Sequence, residues 1–245
     1  MTARVALSAK AVRRSQLLAL NSFFPFMVLF FLGWAVIGQL IPPPSPGLGA
    51  EDLTRFYMAH RERYLVCMVL SMLSTAFLMP FSAVIVGQIA RIEGEGPRVW
   101  TYAALMAAAG NIVSFTFPLM FFAVALFRPG RSPDLVLLAS DLGWLPFLGM
   151  ASPYITLPIC VAIAGLIDPS PQPAFPRWFC FLTIASTIAI LPACLIVFFP
   201  QPAWFAWNSM FGWWVPFSDV FGWMVLTYWF CRKAIIAQSR SGEDA

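Results

Sequence analysis

Residues 178–218, WFCFLTIASTIAILPACLIVFFPQPAWFAWNSMFGWWVPFS, contain no charged side chain. A helix that crosses a membrane needs about 20 predominantly apolar residues, so this run is too long for one span. Pro200 and Pro202 divide it, because proline removes a backbone donor and restricts the residue before it. The stretch therefore predicts two membrane helices joined by a short turn, at about 178–199 and 207–231.

Four more apolar runs reach spanning length, and proline-rich or charged segments separate them. We expect helices there at about 20–41, 65–90, 100–127 and 146–167. The chain is 60% hydrophobic and only 11% charged, whereas soluble domains carry about 25% charged residues. The sequence thus predicts an all-α polytopic membrane bundle of about six proline-kinked transmembrane helices, forming one domain over residues 1–245.

Besides the connecting loops, four segments lie outside the predicted spans. A basic segment, 1–19, precedes the first helix, and a polar tail, 232–245, follows the last. Residues 51–64 carry leucine, aromatic residues and histidine at helical spacing with charges between them, which predicts a helix along the membrane surface. Residues 134–145 are too short to span and include Asp141, so we expect them to be interfacial as well.

The distribution of lysine and arginine predicts the orientation. With the N-terminus in the cytoplasm, ten of these residues fall on the inner side and five on the outer side, as the positive-inside rule requires. An even number of spans returns the C-terminus to the same side. We therefore expect a multi-pass protein of a bacterial inner membrane with both termini cytoplasmic. No small-residue cleavage site follows the first run, so we expect no cleavable signal peptide.

The residue counts exclude several membrane enzymes. The one histidine, His60, lies outside the spans, and the two lysines, Lys10 and Lys233, lie away from any span centre. Histidine-ligated di-iron centres, haem ligation within helices and a retinal Schiff base are therefore excluded. No nucleotide-binding loop, HExxH motif or nucleophile elbow is present. The sequence predicts no catalytic residue, no metal ligand and no nucleic-acid partner, and it does not specify a cofactor.

The five cysteines all lie in or beside apolar runs and show no CxxC spacing. Such positions are typical of small buried side chains, whereas disulfide frameworks and zinc sites have characteristic spacings. We therefore expect all five to be free thiols.

The candidate substrate-binding site is centred on Asp219, within GWWVPFSDVFGW (212–223). Asp219 is the one charged residue in the core of any predicted span. A low dielectric disfavours the charged form of a carboxyl group, so we expect Asp219 to be neutral and to hydrogen bond with Asn111, which lies at similar depth. Insertion scales put a central aspartate at a cost of about 3 kcal/mol, and such residues usually serve function.

Ser218, Trp213 and Trp214 complete the set of predicted substrate-binding residues. Two interpretations of them stay open. Serine in a membrane helix also satisfies backbone carbonyls and helps helices to pack, and tryptophans near span ends form an interfacial belt. Alternatively, these side chains line a site for an apolar or cationic ligand.

Two short motifs, FPRWFCF (175–181) and FAWN (205–208), carry a resemblance. They resemble segments of a set of uncharacterised bacterial six-helix integral membrane proteins, and the similarity covers most of the chain. The resemblance implies the same six-helix layout. That set has no assigned activity, so the resemblance implies no functional residues.

Two functional hypotheses follow. In the first, the protein binds or translocates a small hydrophobic or proton-coupled solute through a cavity among the kinked helices, with Asp219 as the ionisable site. In the second, it is a non-catalytic accessory subunit of a membrane complex, and Asp219 meets a partner protein or another copy in a homo-oligomer. In both hypotheses, the lipid bilayer surrounds the membrane-spanning helices.

Overall fold

The computed structural model describes the backbone of residues 8–241 and the side chains of residues 8 and 10–238. Within this part of the chain the secondary structure is helical, with no strand. Six helical stretches are long and apolar enough to cross a membrane, which confirms the predicted all-α bundle and indicates a multi-pass membrane protein. The six spans are Lys10–Ile37, Arg61–Glu93, Val99–Phe127, Pro133–Ile167, Arg177–Phe198 and Met210–Gln238.

Most spans are assembled from more than one helical segment. The α-helices in chain order are α1 (Ala9–Asn21), α2 (Phe23–Phe31), α3 (Ala50–Ala59), α4 (Arg61–Thr75), α5 (Leu78–Glu93), α6 (Val99–Phe127), α7 (Pro133–Gly149), α8 (Ala151–Ile167), α9 (Arg177–Ala189) and α10 (Val215–Ser241). A π-helix (Leu32–Ile37) extends α2, a 3-10 helix (Leu191–Phe198) follows α9, and a second π-helix (Met210–Trp214) leads into α10.

The six spans form a ring in which each packs on its neighbours in the chain. α6 contacts α4 and α5 on one side and α7 and α8 on the other. α9 packs on α8, and α10 packs on α1, so the last span returns to the first. Because the number of spans is even, residues 8 and 241 lie at one end of the bundle, the termini end, and the opposite end is the far end.

Hydroxyl groups donate hydrogen bonds to backbone carbonyls where a proline interrupts a span. Pro80 has no N–H, so the preceding turn lacks one helical donor. At this break Ser22 Oγ donates to Phe77 O at 2.7 Å, which joins the first span to the second, and Thr75 Oγ1 donates to Met72 O at 2.7 Å. Backbone carbonyls within a membrane need partners inside the protein, so these hydroxyls allow the bend.

The first span begins and ends earlier than predicted. α1 begins at Ala9, so basic residues expected to precede the span form its first turns, and the helix ends at Ile37 instead of residue 41. Long basic side chains keep their charged ends in water while their stems lie along apolar surface. A cluster of charges therefore did not mark the start of this helix.

Residues 134–145, predicted to be interfacial, belong to a span. α7 continues through Pro146, turns at Met150 and leads into α8, and the two helices form a candidate span of 35 residues. Proline is tolerated in membrane helices when neighbouring groups satisfy the freed backbone, so stopping the count at Pro146 made the segment seem too short. Asp141 therefore also lies within a span, and Asp219 is not the one acidic residue there.

The predicted surface helix is present outside the six spans, but it is short and docks on the bundle. α3 ends at Ala59 and packs on α7. Tyr57 Oη and Ser140 Oγ share a hydrogen bond of 2.9 Å, and Trp144 Nε1 donates to Tyr57 Oη at 3.4 Å. Burial raises the pKa of Tyr57 to about 12, so its hydroxyl keeps its proton and these contacts at neutral pH.

The predicted terminal segments are described in part. Residues 1–7 of the basic segment 1–19 and residues 242–245 of the polar tail lie outside the described residues. The last helix was predicted to end at residue 231, yet α10 continues to Ser241. The beginning of the tail is therefore helical.

The cysteines are unpaired. All five are free thiols, and four of them are buried. This confirms the prediction made from their positions in apolar runs.

Two arginines at the start of α4 bind the ends of neighbouring spans at the far end. Arg61 Nε donates to Leu126 O at 2.6 Å, and its Nη2 donates to Phe127 O at 2.9 Å. Arg63 Nε donates to Ile37 O at 3.0 Å. The last carbonyls of a helix have no partner within it and carry partial negative charge, so these cations link the second span to the first and the third.

Arg61→Ala should lower the free energy of unfolding by about 1–3 kcal/mol, because two helix-end carbonyls lose a charged donor. Arg55→Ala is the matched control, since Arg55 forms an exposed ion pair with Asp52 at 3.2 Å, and such pairs contribute about 0–1 kcal/mol. Denaturation of both purified variants in detergent measures the difference. Equal losses would show that Arg61 does not hold the second span to the third.

Candidate functional site

A cavity lies inside the ring, between α5, α6, α8 and α10. Its walls are mainly aliphatic and aromatic, and Asn111 from α6 and Asp219 from α10 both line it. Ser82 from α5 and Tyr154 from α8 add two hydroxyl-bearing side chains to the lining. The two residues on which the predicted site was centred therefore face one space, although they come from the third and sixth spans.

Polar atoms around this cavity are incompletely paired. The side-chain oxygen Oδ1 of Asn111 and the indole Nε1 of Trp223 are buried and have no hydrogen-bond partner among the described residues. Buried polar groups nearly always bind a protein group or water. The cavity has a volume of about 50 Å³. Measured in the same way, one water needs roughly 10–15 Å³. A few waters, or the polar group of a ligand, fit there.

A close helix contact positions Asn111. The neighbouring residue is Gly110, and a Cβ atom added at Gly110 would lie 3.1 Å from Cβ of Pro153 in α8. The missing side chain therefore lets α8 approach α6 closely at this level. Small residues at helix contacts in membranes serve this purpose.

The entrance to the sixth span positions Asp219. Gly212 lies against the backbone of Ala206, where a side chain would clash, and Ser209 Oγ accepts a hydrogen bond from Gly212 N at 3.2 Å. The π-helix that starts at Met210 then leads into α10. This fixed turn sets the rotation of α10 and with it the direction in which Asp219 faces.

Trp213 lines a second cavity, next to the first. Phe115, Tyr154 and Val220 belong to both, so they form the wall between the two spaces. Trp213 is fully buried, and its Nε1 has no partner in the described part of the chain. The second cavity is otherwise lined by apolar side chains, which makes it an apolar annex of the first.

Ser218 lies outside the cavity, in a groove between α9 and α10 that we call the α9–α10 groove. Asp219 lines both this groove and the central cavity. Ser186 from α9 lines the groove beside Asp219, and its Oγ donates to Thr183 O at 3.1 Å. Trp214 lies on the surface and is 41% exposed, a position that agrees with interfacial anchoring.

Tyr154, Ser186 and Trp223 are among the lining residues that were not predicted as part of the site. Trp223 follows Asp219 by four residues and so shares its helix face, a signal that was present in the sequence. Tyr154 and Ser186 lie on other spans, and only the packing of α8 and α9 brings them to Asp219. No spacing along the chain marks them.

No family model, no curated protein and no solved structure matches this chain. Among the described residues, no group of three or more His, Cys, Asp or Glu side chains could hold a metal ion. The site provides three hydrogen-bonding groups, an amide, a carboxyl group and an indole, at the edge of a largely apolar cavity.

Asn111→Leu should leave the melting temperature unchanged or raise it, because replacing an unpaired buried polar group by an apolar one of similar size removes a desolvation penalty. Gln88→Met is the matched control. Gln88 is 1% exposed and accepts a hydrogen bond from Gln238 Nε2 at 2.8 Å, so its loss should destabilise the protein by about 1–3 kcal/mol.

Thermal denaturation of the two variants beside the wild type measures both effects. A large loss of stability in Asn111→Leu would contradict the assignment of Asn111 to a site that is held open for a ligand.

Proposed function

We propose that the protein binds a small, mostly apolar solute that carries a hydrogen-bonding group, and translocates it in step with proton binding at Asp219. The observation that carries the proposal is the unpaired Asn111 oxygen in the same cavity as the Asp219 carboxyl group. In this proposal the solute, or a water that the solute displaces, is the missing partner of Asn111.

The composition of the cavity supports a ligand site. Binding sites for small molecules are mostly apolar, with a few polar groups that fix the orientation of the ligand. Here Phe115, Leu157 and Met224 provide apolar surface, while Asn111 and Asp219 provide the polar contacts. Ionisable groups within spans are costly, and they commonly mark the path of a solute or a proton.

The proposal also includes a location and an orientation. We place the protein in a bacterial inner membrane with both termini in the cytoplasm, because lysine and arginine are twice as frequent on that side of the predicted topology. The termini end of the bundle would then face the cytoplasm, and the arginine contacts of α4 would lie at the outer face.

The test is native purification followed by mass spectrometry of everything the protein retains, for the wild type, Asp219→Asn and Asp219→Leu. The wild type should retain a small molecule. Asp219→Leu should fold and lose that ligand about tenfold or more in affinity, equal to ~1.4 kcal/mol. Asp219→Asn should keep the hydrogen bonding and the melting temperature but lose the pH dependence of binding.

Asp141→Asn is the control, because Asp141 also lies in a span but outside the lining of this cavity. It should retain the ligand. If Asp219→Leu kept the ligand with unchanged affinity, the solute site would lie elsewhere. If both Asp219 variants instead lost a stoichiometric protein, the accessory-subunit hypothesis would replace this proposal.

A further inference from the structure

The fifth and sixth spans contact each other mainly at one end of the bundle. α9 packs mainly on α8, and α10 packs mainly on α1, while contact between α9 and α10 is sparse. Towards the far end the gap closes, because the 3-10 helix after α9 packs on the π-helix before α10. The remaining opening is the α9–α10 groove, which runs along the side of the bundle that lipid would cover.

This groove is more polar than a lipid-facing surface should be. Ser186 and Ser218 lie in it with Asp219, and Thr183 Oγ1 is buried there with no partner among the described residues. Thr183 is 1% exposed. Unsatisfied polar groups are unfavourable in hydrocarbon, so this arrangement points to an occupant that brings a polar group into the groove.

Asp219 and Trp223 separate the groove from the cavity. Both side chains line both spaces, and they stand one turn apart on the same face of α10. Gly222 lies between them and is exposed, and a Cβ atom added there would meet nothing within 4 Å. The absence of a side chain at this position keeps the groove open beside the two residues.

In the described part of the chain, side chains pack across the bundle towards both of its ends. Towards the far end Trp34, Trp144 and Trp213 are each at most 1% exposed and pack against one another, with ring centroids 5.7 to 6.2 Å apart. Towards the termini end the hydrogen bond of Gln88 with Gln238 joins α5 to α10 at 2.8 Å. The α9–α10 groove therefore gives direct access to Asp219, which lines it.

We infer that the solute enters the site sideways from the lipid phase, through the α9–α10 groove and past Asp219 and Trp223. This inference rests on the proposed function and specifies its substrate class: a membrane-dissolved amphiphile with one hydrogen-bonding head group. The hydroxyls of Thr183, Ser186 and Ser218 receive the head group on entry, and Asn111 binds it inside.

The test measures access to Asp219 and needs no knowledge of the solute. Dicyclohexylcarbodiimide dissolves in membranes and modifies protonated carboxyl groups, whereas a water-soluble carbodiimide approaches from the aqueous phase. Protein in lipid vesicles is treated with each reagent, and peptide mass spectrometry measures the rate at which Asp219 is modified. The membrane-soluble reagent should modify Asp219 much faster than the water-soluble one.

Gly222→Phe should fill the groove and slow the modification of Asp219 by the membrane-soluble reagent about tenfold. A tenfold change in rate corresponds to a barrier increase of ~1.4 kcal/mol. Gly87→Phe is the matched control, since a Cβ atom at Gly87 also meets nothing within 4 Å and this glycine lies on α5, away from the groove. Its rate should equal that of the wild type. Ser218→Phe fills the same groove from a second position, in case Gly222→Phe does not fold.

Unchanged modification in folded Gly222→Phe and Ser218→Phe, or faster modification by the water-soluble reagent, would overturn lateral entry. This failure is distinct from failure of the proposed function. If the wild type retained a solute but the groove-filling variants were modified at the wild-type rate, the binding site would stand. Only entry through the groove would then be rejected.

Discussion

Backbone N–H and C=O groups within hydrocarbon must find their partners inside the protein, and the rest of this structure depends on how the broken spans meet that constraint. The breaks bring carbonyls out of the helical pattern, and neighbouring spans supply hydroxyl and guanidinium donors to them. Ser22 serves Phe77 near the middle of the bundle, and Arg61 and Arg63 serve helix ends at the far end. Each such bond joins two spans, and together they hold the first three spans to one another.

Among the described residues, nine buried side-chain polar atoms have no hydrogen-bond partner, and four of them lie around the proposed site. Asn111 and Trp223 line the central cavity, Trp213 lines its annex, and Thr183 lies in the groove beside it. Unpaired polar atoms in the interior lower the stability of a protein. Binding sites commonly combine such a loss of stability with a gain in function. The cavity, its annex and the groove therefore form one connected system, with Asp219 at the junction of the central cavity and the groove.

The sequence predicted the six spans because long charge-free runs have few other physical explanations, and it predicted Asp219 because a carboxyl group in such a run is costly. Asn111 was expected to bond with Asp219 because the two lie at similar depth. Both residues line one cavity, but the structure shows no hydrogen bond between them, and Asn111 Oδ1 has no partner among the described residues. The missed features depend on tertiary structure. α7 was misjudged because Pro146 was taken as a boundary, and Ser186 was missed because only the packing of α9 brings it to Asp219. The rotation of α10, set by the contact of Gly212 with Ala206, is likewise not encoded in hydropathy.

The central claim is that Asn111 and Asp219 face one cavity inside a ring of six spans. The most direct measurement is a side-chain-resolution cryo-electron microscopy map of the wild-type protein in lipid nanodiscs. The account predicts both side chains on a common cavity between α5, α6, α8 and α10, with non-protein density within hydrogen-bonding distance of Asn111 Oδ1. A map in which Asp219 points into lipid, or in which Phe115 and Trp223 fill the space between the two residues, would contradict it.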